Sequence, residues 1–152
     1  MEFIEFLDKA EVEIIKMVEK AGYKTVENTK LCSLGQNYVG FLNKRKKEII
    51  ICTRNAKKRE GYTVLRKKEK DVFERTALHI KKALRHEAVH VAQECNDGKL
   101  LEIDKKLSMN PAKINALNGS IKISREEEKE RQAYILEDKP RLIKNELRKY
   151  CL

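Results

Sequence analysis

The stretch "ALRHEAVH", residues 83–90, decides how this chain is read. It sets His86 and His90 four residues apart with Glu87 directly after the first, in a chain with only three histidines. Residues four apart project from one face of a helix, so two imidazoles at this spacing can give their nitrogens to one ion. Glu87 lies about 100° further round the helix. It can miss the ion yet reach a water beside it. The surroundings suit a helix that packs inward: Ala88, Val89, Val91 and Ala92 are apolar, and no Gly or Pro interrupts residues 71–96. Val72, Leu78, Ala83, Val89 and Ala92 are expected on its buried side. "NDG", 96–98, supplies the stop. Two buried imidazoles without a partner are costly to desolvate, and a metal supplies one. The pattern is short, and the competing reading is a pair of surface histidines beside a solvated glutamate.

A catalytic zinc ion wants three protein ligands and an open position for a water, whose pKa it lowers to near 7. No histidine follows His90, and Cys95 falls on another side of the helix. His79 lies two turns before His86, roughly 10 Å away along the axis, and is expected to line a cleft or play a structural part. Carboxylates remain, and "SREEEKERQAYILEDKP", 124–140, is rich in them. Ser124 and Glu127 fit a helix-starting capping box. Glu126, Glu130 and Glu137 share a stripe with Ala133 and Tyr134. Glu130 is the expected third ligand, because Ala133, one turn on, is small enough to let two helices close up. Glu137 is a candidate to steady a ligand histidine from behind. For each glutamate the alternative is a solvated, ion-paired helix face.

Outward from these stretches, residues 2–21 carry apolar residues at helical spacing, with Gly22 as the stop. "QNYVGFL" (36–42) and "EIIICT" (48–53) read as two strands joined by a charged hairpin loop, the second central. "GYTVLR" (61–66) reads as a third strand after a turn at "NAKKRE". A short helix is expected after Pro111, and Pro140 divides the last helical block. The expected fold class is α+β. A small antiparallel sheet of about three strands packs on the histidine helix and a C-terminal glutamate helix, in one domain over 1–152.

Composition narrows the function. The chain has 152 residues, 41% hydrophobic and 38% charged, which is enough apolar content to bury a core. The first twenty residues have acids where a secretory signal needs bases, and no run is long enough to span a membrane. Cys32, Cys52, Cys95 and Cys151 form no C-x-x-C pair and read as reduced thiols. A cytoplasmic protein with no membrane partner is expected. The net charge is +10, and residues 41–70 hold twelve Lys and Arg against three Glu, nearly the whole excess. Such a block can meet nucleic acid or an acidic protein. No aromatic-interleaved motif supports nucleic acid, and a lysine-rich solvated edge is the simpler reading.

H-E-x-x-H on one helix, followed some tens of residues later by E-x-x-A on another, resembles the gluzincin class of zinc metallopeptidases. The small single-domain minigluzincins are nearest, and the antirepressor-cleaving phage and bacterial metallopeptidases are similar. The matching positions are His86, Glu87, His90, Glu130 and Ala133, within about residues 36–138. The resemblance implies zinc held by His86, His90 and Glu130, with Glu87 as general base and acid. It also implies a peptide or protein substrate held extended along an upper sheet edge. Tyr134 or His79 would be the donor to the oxyanion. The rivals are a SprT-like protease acting on DNA-associated proteins, and a basic binding protein with a structural zinc site.

Overall fold

The computed structural model describes residues 1–104, 106–109, 111–124 and 126–152, with 120–124 as backbone only. A 3-10 turn, Glu2–Phe6, precedes helix α1, Lys9–Lys20. The expected single helix over 2–21 breaks between them because Asp8 and Glu11 form a reciprocal capping box, Glu11 Oε1 accepting the Asp8 backbone N–H at 3.1 Å. Gly22, at φ 92°, ends α1 as expected. Then come strand β1 (Lys24–Glu27), a 3-10 turn (Lys30–Leu34), strands β2 (Gly40–Asn43) and β3 (Glu48–Ile51), and helices α2 (Thr53–Arg59) and α3 (Lys70–Cys95). Helices α4 (Pro111–Ser124), α5 (Glu127–Leu136) and α6 (Pro140–Cys151) complete the chain.

The fold is α+β, with a three-stranded sheet in the order β1-β3-β2. β3 is central, as its unbroken apolar run requires, and Ile49, Ile50 and Ile51 are all buried. β2 runs antiparallel to it, pairing Gly40 with Ile51. The sheet is mixed, however, not antiparallel throughout: β1 pairs parallel to β3, and it, not 61–66, is the third strand. "KTVE" is four residues with no apolar run, so its sequence gave no warning. Residues 53–59 hold good helix formers and become α2, whose end is closed by the Tyr62 N–H donating to Lys57 O at 2.9 Å.

α3 lies at the centre, packed on the sheet, α1, α2, α5, α6 and the first 3-10 turn. Ile80, Leu84, Ala88, Val91 and Ala92 are fully buried along it, whereas Leu78, expected inside, is exposed. Asn96 caps it, and Asp97 and Gly98 take positive φ, so "NDG" does stop the helix. α6 begins with Pro140 in its first turn and buries Ile143 and Leu147 one turn apart. α5 starts at Glu127 with Glu126 as its N-cap, not at a Ser124 capping box: α4 runs on through Ser124, and Glu127 pairs with Arg131 at 3.3 Å. The side chain of Ser124 lies outside the described residues.

The cysteines are not free thiols. Cys32 bonds Cys52 and Cys95 bonds Cys151, with Cα atoms 5.6 and 5.2 Å apart, ordinary disulfide spacing. The partners lie 20 and 56 residues apart in sequence, so no short motif could announce them. Disulfides persist in oxidising compartments, which removes the thiol argument for a cytoplasmic location. No helix among the described residues is long and apolar enough to cross a membrane. Cys95–Cys151 ties the end of α3 to the end of α6. Cys151→Ser should therefore lower stability by about 2–4 kcal/mol, read as a drop in urea midpoint. An unchanged midpoint would show that this pair does not staple the fold.

Candidate metal centre

His86 and His90 face the same side of α3, both nearly buried, with ring centroids 5.0 Å apart. α5 crosses that side. Ala133 is fully buried in the core, and its lack of a side chain beyond Cβ lets the helices approach. One turn before it, the Glu130 carboxylate reaches both rings: Oε2 lies 3.1 Å from His86 Nε2, and Oε1 lies 2.8 Å from His90 Nε2. One ligand atom from each of the three residues lies within 4.8 Å of the others, and all three belong to a buried group able to hold a metal ion. The fit is sharpened by His90 Nε2, a buried atom without a hydrogen bond. Its approach to Glu130 lacks hydrogen-bond alignment, as expected where lone pairs converge on a shared point rather than on each other.

The back of His90 is held by residues the sequence reading missed. His90 Nδ1 meets Gln93 Oε1 at 2.8 Å. Gln93 Nε2 is already committed as donor to Lys129 O and Gln132 Oε1, both at 3.1 Å. Gln93 therefore presents its carbonyl oxygen to the ring, Nδ1 carries the hydrogen, and Nε2 keeps a lone pair for the site. Gln132 is fixed in turn by the Leu101 backbone, accepting its N–H at 3.0 Å and donating to its carbonyl at 2.7 Å. Only the spacing of Gln93, three residues after His90, hinted at this.

The other expected residues divide. Glu137 steadies His86 loosely, with Oε2 4.0 Å from Nδ1, while Lys113 of α4, unforeseen, sits 3.6 Å from Glu137 Oε1. Lys113 is itself buried, donating to Tyr134 O at 2.6 Å and to Asp138. Glu126 stays outside, paired with Lys44 and Lys129. Tyr134 rests its ring edge-on against His86, centroids 4.5 Å apart, and its hydroxyl donates to Ala116 O at 3.1 Å. His79 Nε2 lies 2.8 Å from Glu60 Oε1, further along the cleft wall.

The cleft above these groups has a volume of about 680 Å³ and is walled on one side by β2 and the residues before it. Glu87 is buried in its floor. A Cβ on Gly40 would come within 3.1 Å of Ala83 Cβ and 3.3 Å of Glu87 Cγ, so glycine is what lets β2 press against α3 here. Burial pushes the Glu87 carboxyl up, against the pull of His86 and His90. Burial opposes charge on His86, but the hydrogen bond to Glu130 and the carboxylates of Glu87, Glu130 and Glu137 outweigh it and push its pKa up to about 9. Burial would raise Glu130, yet the two imidazoles outweigh it and hold that carboxyl well below the usual range.

Over residues 3–152 the chain matches the model of a family described as a domain of unknown function. The chain belongs to the DUF8637 family. No curated protein and no solved structure matches it.

Two outcomes follow from the centre as built. A His86 pKa raised from 6.5 to about 9 stabilises the metal-free fold fully below about pH 6.5, and that stability is lost as pH rises through about 9. Glu130, being lowered, adds stability above its ordinary range that is lost on acidification. With chelator present, urea stability should fall by roughly 3 kcal/mol between pH 6.5 and 9, while metal affinity rises as the ligands shed protons. A flat profile would uncouple His86 from Glu130. Gln93→Leu should weaken metal binding about 10- to 100-fold, measured by competition with a chromophoric chelator. Unchanged affinity would deny Gln93 its hold on His90.

Proposed function

We propose that the chain is a zinc-dependent metallopeptidase of gluzincin type. The observation that carries this reading is the convergence of His86, His90 and Glu130, with Glu87 buried beside them in the floor of a cleft. Two neutral imidazoles and a carboxylate form a donor set that suits zinc and leaves room for a water. Bound there, zinc supplies Lewis acidity toward that water and toward a scissile carbonyl. A purely structural site would have no use for a carboxylate held next to the ligands but outside the ligand set.

The chain's own residues then do the rest. Glu87 takes a proton from the attacking water as the new C–O bond forms. It delivers that proton to the amide nitrogen as the C–N bond breaks. Its raised pKa suits it to both roles. Tyr134, already against His86, is the hydroxyl placed to exchange Ala116 O for the developing oxyanion. β2 is an edge strand along the cleft, and a peptide substrate lies extended beside it.

The test combines metal content with hydrolysis of an unstructured protein. The parent and Glu87→Gln should carry about one zinc per chain, while His90→Ala and Glu130→Ala should lose it. Glu87→Gln should cut hydrolysis at least about 100-fold with zinc retained, and chelation should abolish the parent's activity. Hydrolysis that survives Glu87→Gln would sink the mechanism. A parent that takes up no metal would sink the reading.

A further inference from the structure

Residues 61–66 were expected to form a strand, which would have half-buried Val64 and Leu65. They form instead the tip of a turn, and among the described residues these two are the most exposed large apolar side chains, at 82% and 93%. The Arg66 N–H donates to Thr63 O at 3.1 Å and to Thr63 Oγ1 at 3.2 Å, so Val64 and Leu65 occupy the two central positions. Turns favour Pro, Gly, Asn, Asp and Ser, although the commonest type accepts most residues at its centre. An aliphatic pair serves neither the turn nor the core of this chain.

The turn is also built, not slack. Arg66 holds Glu69 Oε2 through Nε at 3.2 Å and Nη2 at 3.1 Å, and its Nη1 reaches Gly61 O at 3.4 Å. At the base, the Tyr62 ring packs against Phe6 and Phe73, with centroids 5.5 and 6.5 Å away. This ordering holds the two aliphatics out of the protein. Next to them in the chain stand cations: Lys67 and Lys68 are exposed and make no ion pair among the described residues. Arg66 and Lys70 are matched by Glu69 and Glu74.

We propose that this turn docks the protein on an anionic lipid surface, Val64 and Leu65 entering between headgroups while Lys67 and Lys68 meet the phosphates. Apolar tip and adjacent lysines together match the two layers of such a surface, acyl chains and anionic headgroups. A nucleic-acid backbone would satisfy the lysines and leave the aliphatics in water, and the tip carries no aromatic ring to stack on a base. Surface docking needs no spanning helix. It is an alternative to the sequence expectation of no membrane partner, and it stands independently of the metal-site reading.

The test uses the full chain and two vesicle compositions, phosphatidylcholine alone and an equal mixture with phosphatidylglycerol. The parent should co-sediment with the mixed vesicles and not with the neutral ones. Val64→Asp with Leu65→Asp should lower that binding at least about tenfold. Lys67→Glu with Lys68→Glu should lower it by at least about fivefold for each lysine. Leu65→Ser alone should move it in the same direction, and all these positions are exposed, so circular dichroism should be unchanged. Lys16→Glu with Lys20→Glu, an equal charge change on exposed α1 positions, should leave binding as it was. Three results would each overturn the proposal. One is no binding to mixed vesicles. Another is binding that the Val64–Leu65 variant retains or that the α1 control equally loses. The third is tighter binding to a DNA duplex than to vesicles, indifferent to Val64 and Leu65.

Discussion

The site depends on one carboxylate crossing between helices. Glu130 comes from α5, while both imidazoles it meets come from α3. None of the three is at ease in the interior alone, since each ionised group there needs a partner to offset lost hydration. Together they fix the register of α5 on α3. Ala133 keeps the helices close, and the Gln93–Gln132 pair with the Leu101 backbone fastens the same contact from the side. α4 packs on α5 and brings Lys113, whose ammonium offsets Glu137 behind His86. A shift of α5 by one residue would rotate Glu130 away from both rings and leave each of these buried groups uncompensated.

What the sequence disclosed follows from how local each signal is. His86 and His90 are joined by helical periodicity alone, so their shared face was legible. Glu130 lies forty residues further on, yet Ala133 marked the face of α5 that could approach another helix. Gln93 and Gln132 were not legible, because glutamine is common on solvated helix faces and nothing local says that two of them will meet. Lys113 was hidden for the opposite reason, since an isolated lysine ordinarily reads as surface. The sheet shows the same division. β3 was plain from its apolar run, whereas β1 has only Thr25 buried and takes its place by pairing with β3. Residues 61–66 misled because Val64 and Leu65 have strand-like chemistry, and only the hydrogen bonds of the turn show that nothing pairs with them.

Without metal, the centre is a proton site. The charge balance that favours a protonated His86 beside an ionised Glu130 is the balance a divalent cation would take over, so protons and metal compete for the same two ligands. Glu87 stands apart from that competition. It is buried between α3 and β2, where Gly40 leaves room for its stem, and burial pushes its carboxyl up. The two carboxylates thus differ by environment. Glu130 faces two rings, and Glu87 faces a cleft.

α3 runs from the exposed turn to the histidine pair. It begins at Lys70, where the exposed turn ends, and reaches His86 sixteen residues later, about 24 Å along its axis. Neither Gly nor Pro interrupts it. Arg59, at the end of α2, lines the cleft. A surface bound through Val64 and Leu65 would therefore stand at a fixed distance from His86, set by the helix.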